Sequence, residues 1–171
     1  TRILTDRGWR AVETLVPGDR VQTLDDGAQP LRWIGRFAVS RADLARSSRH
    51  YPVRIAAGAF GPGLPRADLR LSRQHRILLT GAEIEAICGC PEALVPAHRL
   101  LGLEGVELLQ PQAAFDYFHL LLDRHQVIFA EGMAAESLLM AGESLRALPP
   151  QALDEIDRLF DDPAALARLA I

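Results

Sequence analysis

The stretch Thr1-Arg2-Ile3-Leu4-Thr5-Asp6-Arg7-Gly8-Trp9-Arg10-Ala11-Val12-Glu13-Thr14-Leu15-Val16-Pro17-Gly18-Asp19-Arg20-Val21 carries most of the information about this chain. An apolar-alternating run reverses at Asp6-Arg7-Gly8, and a helical turn or bend follows from Val12. A Gly-assisted reversal at Pro17-Gly18-Asp19 then opens a new strand at Val21. Gly provides positive φ without steric cost and Asp bonds its own backbone, so the segment predicts strand, turn and strand.

The same punctuation continues at Asp25-Asp26-Gly27. Further apolar runs bounded by turn residues predict strands over 2–5, 21–24, 31–39, 53–57, 69–72, 76–79, 117–122 and 126–130. Many short strands in one core predict a mostly β, closed or sandwiched fold. Residues 40–52 and 58–67 mix Pro, Gly, Arg and Ser without a clean period and read as surface loops.

After Pro149-Pro150 the period changes. Leu153, Ile156, Leu159 and Phe160 fall at helical spacing with Asp154, Glu155 and Asp157 near the start, where acids suit the helix dipole. Asp162-Pro163 then caps a second short helix through Leu169. The chain divides into a β domain over 1–140 and a C-terminal helical extension over 141–171 packed on it.

A chain of 171 residues with 49% hydrophobic content can bury one sizeable core. No apolar run approaches the roughly 20 residues of a membrane helix, and the N-terminus lacks the build of a signal peptide. All 19 basic residues are Arg, scattered among 22 acidic ones, which argues against a nucleic-acid partner. The two cysteines, Cys88 and Cys90, form no disulfide framework and leave the compartment open. They could be half a zinc site, but no second pair stands at suitable spacing.

Two histidine segments hold candidate chemistry. In Leu71-Ser72-Arg73-Gln74-His75-Arg76-Ile77 a hydroxyl and an imidazole lie three residues apart between strand-like runs, so both can face one peptide bond. In Tyr117-Phe118-His119-Leu120-Leu121-Leu122-Asp123-Arg124-His125, continuous extension would put His119, Leu121, Asp123 and His125 on one face. A turn at Asp123-Arg124 would break that alternation. Asp123 either orients His125 and stabilises its charged form or pairs with Arg124 at the surface. His98 reads as structural, and His50 lies in an exposed loop with no assigned role.

Taken in order, three blocks resemble Hint domains, the autoprocessing fold shared by inteins and hedgehog C-terminal domains. The opening block is T-x-I-L-T-x-x-G-W-x-x-V-E-x-L-x-x-G-D-x-V. The second has Ser72 three residues before His75. The third runs from Tyr117 to Gly132, with a His before an apolar strand and a turn Gly. The resemblance implies an all-β fold with a pseudo-twofold strand arrangement, and its kin are bacterial Hint domains that trail a helical extension. In that family the opening block begins a few residues earlier, at a Cys or Ser whose side chain attacks the preceding carbonyl. A thioester or ester forms, and an external nucleophile (water, thiol or amine) resolves it.

On this basis the expected activity is single-turnover cleavage or acyl transfer just upstream of Thr1, with the chain's own upstream segment as substrate and no cofactor or metal. Ser72 and His75 would activate the scissile bond, His125 would assist and Asp123 would orient it. The sequence starts inside the block, so without the upstream nucleophile the chain is expected to be inert. Asn is absent from all 171 positions, and Glu136-Ser137 stands where inteins carry His-Asn, so splicing by Asn cyclisation is not expected. A rival reading is a non-catalytic binding or structural module of a larger secreted or surface protein. A third, a hydrolase built on Ser72, lacks an acidic partner and an elbow motif.

Overall fold

The computed structural model describes residues 1–139, 148 and 150–159, apart from the side chains of Glu83, Cys88 and 157–159. The opening segment forms strands β1 (Arg2–Thr5) and β2 (Gly8–Ala11), paired from Arg2 opposite Ala11 to Thr5 opposite Gly8. The Thr5 hydroxyl closes the turn, donating to the Gly8 carbonyl at 2.7 Å and accepting from the Arg7 N–H at 3.2 Å. Gly8 sits at φ +91°, where a side chain would be strained.

A 3-10 turn over Val12–Thr14 leads to strand β3 (Arg20–Gln22). Asp19 locks the passage: its carboxylate accepts from the Val16 N–H at 2.9 Å and from the Arg10 guanidinium at 2.6 Å. These bonds hold the Asp19 carboxyl below its usual range, the Val16 N–H foremost, with Arg10 reinforcing it against the cost of burial.

Strands β4 (Ala28–Pro30), β5 (Trp33–Val39), β6 (Val53–Ile55), β7 (Leu69–Leu71), β8 (Arg76–Thr80), β9 (Glu92–Pro96), β10 (Val106–Leu108), β11 (Phe115–Leu121), β12 (Val127–Ala130) and β13 (Met133–Glu136) follow. Among the described residues the largest sheet runs β4-β3-β1-β12-β13-β8-β9, with β2 added on β1. A three-stranded sheet runs β10-β6-β7, and β11 pairs with β5. The fold is mostly β, as the sequence predicts. Val21, Val53, Ile55, Leu69, Ile77, Leu122 and Ile128, each nearly or fully buried, meet in the main core. Each such side chain contributes about 1.5–3 kcal/mol by leaving water.

Three expectations change. Segment 40–52 is not all loop: α1 (Arg41–Arg46) is closed by a reciprocal cap in which Ser40 accepts from the Asp43 N–H and Asp43 from the Ser40 N–H. Only Leu44 of this helix is buried, so it carries no periodic apolar signal. Helix α2 (Ala82–Cys88) and strands β2, β4, β9, β10 and β13 were likewise not among the predicted elements. Finally, β11 ends at Leu121 and the chain bends at Asp123 and Arg124, which breaks the alternation toward His125.

Helix α3 (Pro150–Leu159) packs Ala152 and Ile156 on Trp33, Leu121, Leu138 and Leu148 in a second apolar cluster. Its first turn holds no acid. Instead the Trp33 indole N–H donates to Glu155 at 2.9 Å, satisfying a half-buried donor. The second predicted helix, after Asp162-Pro163, lies outside the described residues.

Candidate functional site

The β7–β8 connection turns tightly at Ser72-Arg73-Gln74-His75, with the His75 N–H donating to the Ser72 carbonyl at 3.2 Å. A 3-10 turn over Ala97–Leu100 buttresses it. The Ala97 N–H donates to the His75 carbonyl at 2.8 Å, and the His98 backbone N–H to the Arg73 carbonyl at 3.0 Å. The His98 ring also donates through Nδ1 to Arg73 at 2.9 Å. His98 therefore has structural work, and its tautomer is set by a carbonyl that can only accept.

His75 and Ser72 line a cavity of about 610 Å³ whose wall also includes Thr1, Ile3, Phe118 and His119. His75 is partly buried where it lines the cavity. Burial depresses its pKa, while the Glu136 charge and a hydrogen bond to the Glu136 carbonyl pull the other way. Behind it, the Glu136 carboxylate accepts from the Arg76 N–H at 3.0 Å and stands 3.5 Å from His125 Nε2. That spacing is an ion-pair approach with no formed hydrogen bond, and His125 Nε2 is buried without another partner among the described residues. Burial pushes the Glu136 carboxyl up, but His125, His75 and the Arg76 N–H outweigh it and hold the group below its usual value.

His119 enters the same cavity from β11, opposite Gly35 of β5. Its ring stands edge-on to Phe37, centroids 5.1 Å apart at 75°. Gly35 permits this: a Cβ there would lie 2.1 Å from the Trp33 ring and 2.7 Å from the Phe37 ring. Burial pushes the His119 pKa down to about 4, with His75 adding to the effect.

The start of β1 is clamped next to this cavity. The Thr1 carbonyl accepts from the Val12 N–H at 2.9 Å, and the Arg2 carbonyl from the Glu131 N–H at 2.9 Å. The Arg2 N–H in turn donates to the Glu131 carboxylate. Glu131, buried at φ +49°, shares the β12–β13 turn with Gly132, so the clamp is fixed by the hairpin itself.

The sequence of residues 1–142 matches the profile of the Hint domain. The chain belongs to the Hint domain family. Solved structures similar to this Hint domain include inteins. One is the AceL NrdHF class 3 split intein in a GSH-linked, splice-inactive variant, at 12% identity and TM-score 0.50, covering 80% of this chain and 93% of that one. Another is the MchDnaB-1 intein, at 9% identity and TM-score 0.47, covering 79% and 95%. At such identities the likeness concerns the fold. No curated protein matches the sequence. Family and fold are thus those of a Hint domain, and no helix among its described residues is long and apolar enough to cross a membrane.

Of the candidates named from sequence, Ser72 and His75 share the cavity of this Hint domain, and His125 stands one carboxylate behind them. Asp123 is elsewhere. Its carboxylate is gripped by both Nε and Nη2 of Arg32 at 2.7 and 2.8 Å, with both side chains about half exposed. The acid that faces His125 is Glu136. It escaped sequence reading because it lies on β13, adjacent to His125 only after β12 and β13 pair Val127 with Glu136. His119 stood in a candidate segment but received no role: an aromatic- and Leu-rich strand gives no sign of which member faces a cavity.

Proposed function

We propose that this Hint domain cleaves or transfers the polypeptide attached upstream of Thr1, through an N-to-S or N-to-O acyl shift at a Cys or Ser a few residues before Thr1. The observation that carries the reading is the shared cavity. Thr1, from which the upstream segment would extend, lines the same cavity as Ser72 and His75. A nucleophile tethered there meets its own carbonyl intramolecularly, which removes most of the entropic part of the barrier.

In this reading the Ser72 hydroxyl donates to the carbonyl oxygen as it becomes an oxyanion. His75 takes the proton of the attacking thiol or hydroxyl on its free nitrogen and passes it to the departing amide nitrogen, and the positive charge it carries in between is stabilised by Glu136, with His125 on the far side of the carboxylate. Asp123 has no part in the reaction, because Arg32 already occupies it. The lack of Asn removes the cyclisation step on which intein release depends, so the products are a freed or transferred upstream segment and the intact domain.

The test is a chain extended upstream by its native residues and incubated with a thiol. The expected outcome is loss of the upstream segment, slowed about 100- to 10,000-fold by His75→Ala. An extended chain that stays whole, or cleavage indifferent to His75→Ala, would mean that the fold serves as a non-catalytic module.

A further inference from the structure

The acyl-shift reading employs His75, Ser72 and Glu136 but leaves a second cavity histidine without a task. His119 comes from the two-stranded β5–β11 sheet, whereas His75 directly precedes β8 of the large sheet, so two different sheets bring a histidine to one cavity. The edge contact with Phe37 orients the His119 ring without using its nitrogens. Among the described residues no hydrogen bond occupies them, and neither is sealed from the cavity. An imidazole with no hydrogen bond on its nitrogens is open to a molecule in the cavity, and burial keeps it neutral at neutral pH, its lone pair available to accept a hydrogen bond from that molecule.

Thr1, which anchors the upstream residues, lines this cavity together with Ser72 and His75. Strand β11 begins at the exposed rim residues Gln112, Ala113 and Ala114, which also line the cavity. Phe115, Tyr117 and His119 share one face by alternation, and the first two rings stand edge to face at 5.0 Å. Phe115 and Tyr117 thus line the cavity between those exposed residues and His119.

We propose that His119 is the base that activates the resolving nucleophile, water in the simplest case, in the second step of the reaction. This rests on the acyl-shift reading and adds the group that completes it. Water gives a proton to the free nitrogen of His119 as its oxygen bonds to the acyl carbon of the thioester or ester. The tetrahedral species collapses with breakage of the bond to the upstream sulfur or oxygen, which takes the proton back from His119. The products are a carboxylic acid and the regenerated thiol or hydroxyl.

The experiment compares two resolving nucleophiles on the upstream-extended chain. Hydroxylamine attacks a thioester or ester without base assistance, whereas water needs it. In His119→Ala, hydrolysis should fall about 100-fold or more while hydroxylamine-driven cleavage stays close to that of the parent. Added imidazole should restore part of the hydrolysis. His119→Asn, closer in shape and polar, should behave the same way in both arms. Equal losses with water and hydroxylamine in both variants would overturn the proposal by reducing His119 to a packing residue. Hydrolysis within a few-fold of the parent would overturn it by removing the need for a base. If the parent itself is cleaved by neither nucleophile, it is the acyl-shift reading that fails.

Discussion

Two carboxylates of this domain are held in the same way and differ in one partner. Asp19 accepts a backbone N–H from Val16 and faces Arg10 at 2.6 Å; Glu136 accepts a backbone N–H from Arg76 and faces His125 at 3.5 Å. Direct exposure of the two side chains is equal at 14%. Glu136 nevertheless has more protein around it, so burial is its largest single influence, whereas for Asp19 it is the Val16 N–H. An Arg cannot release its proton in the working pH range, so the Asp19 corner is a permanent fastening between β2 and β3. Imidazoles can exchange theirs, so the Glu136 corner, with His75 and His125 beside it, is able to follow the gain and loss of charge during a reaction.

The first way to break this comparison is pH. Burial lowers the His119 pKa to about 4 from its ordinary 6.5, and His75 is shifted in the same direction. Between those values the unfolded chain binds more protons than the folded one. The folded state therefore keeps its full stability above pH 6.5 and loses it as pH falls toward 4. For His119, facing His75, Glu136 and the Phe37 ring, the loss is about 3 kcal/mol. Chemical denaturation at pH 7 and pH 4.5 should show it, and His119→Phe should flatten the slope. A slope unchanged by that substitution would mean that the His119 ring is not desolvated.

The next is Glu136→Gln, which keeps an acceptor for the Arg76 N–H and removes the charge. Cleavage of the upstream-extended chain should slow about 10- to 100-fold, since the charged form of His75 loses its nearest counter-charge. Asp19→Asn should leave the cleavage rate within about twofold. A comparable rate loss in both would erase the distinction between the two corners.

Stability should then show the reverse emphasis. Asp19→Ala removes a charged partner of Arg10 and an acceptor for the Val16 N–H and should cost about 1–2 kcal/mol in urea unfolding. The smallest effect belongs to Asp123→Asn. The Arg32 pair is half exposed, so its loss should cost less than about 1 kcal/mol and leave cleavage unaltered. A marked loss of cleavage would return Asp123 to the site.

What was legible in the sequence was whatever depends on neighbours along the chain. The Thr5–Gly8 reversal, the Gly18-Asp19 turn and the Ser72–His75 connection are closed by bonds within a few residues, so their residue types announce them. Helix α1 obeys the same logic through Ser40 and Asp43, but with only Leu44 buried it lacked the apolar period by which helices are recognised. The partner of His125 had no such local sign. Asp123 is two residues away along the chain and Glu136 eleven, yet the bend after Leu121 turns Asp123 toward Arg32 while the β12–β13 hairpin brings Glu136 back. Strand pairing also set His75 and His119, 44 positions apart, around one cavity. The sequence alone therefore determined the mostly β Hint fold and the Ser72–His75 pair, because turn chemistry is local. Only the tertiary structure decided which acid and which further histidine join them, because register between distant strands is fixed by burying a common core.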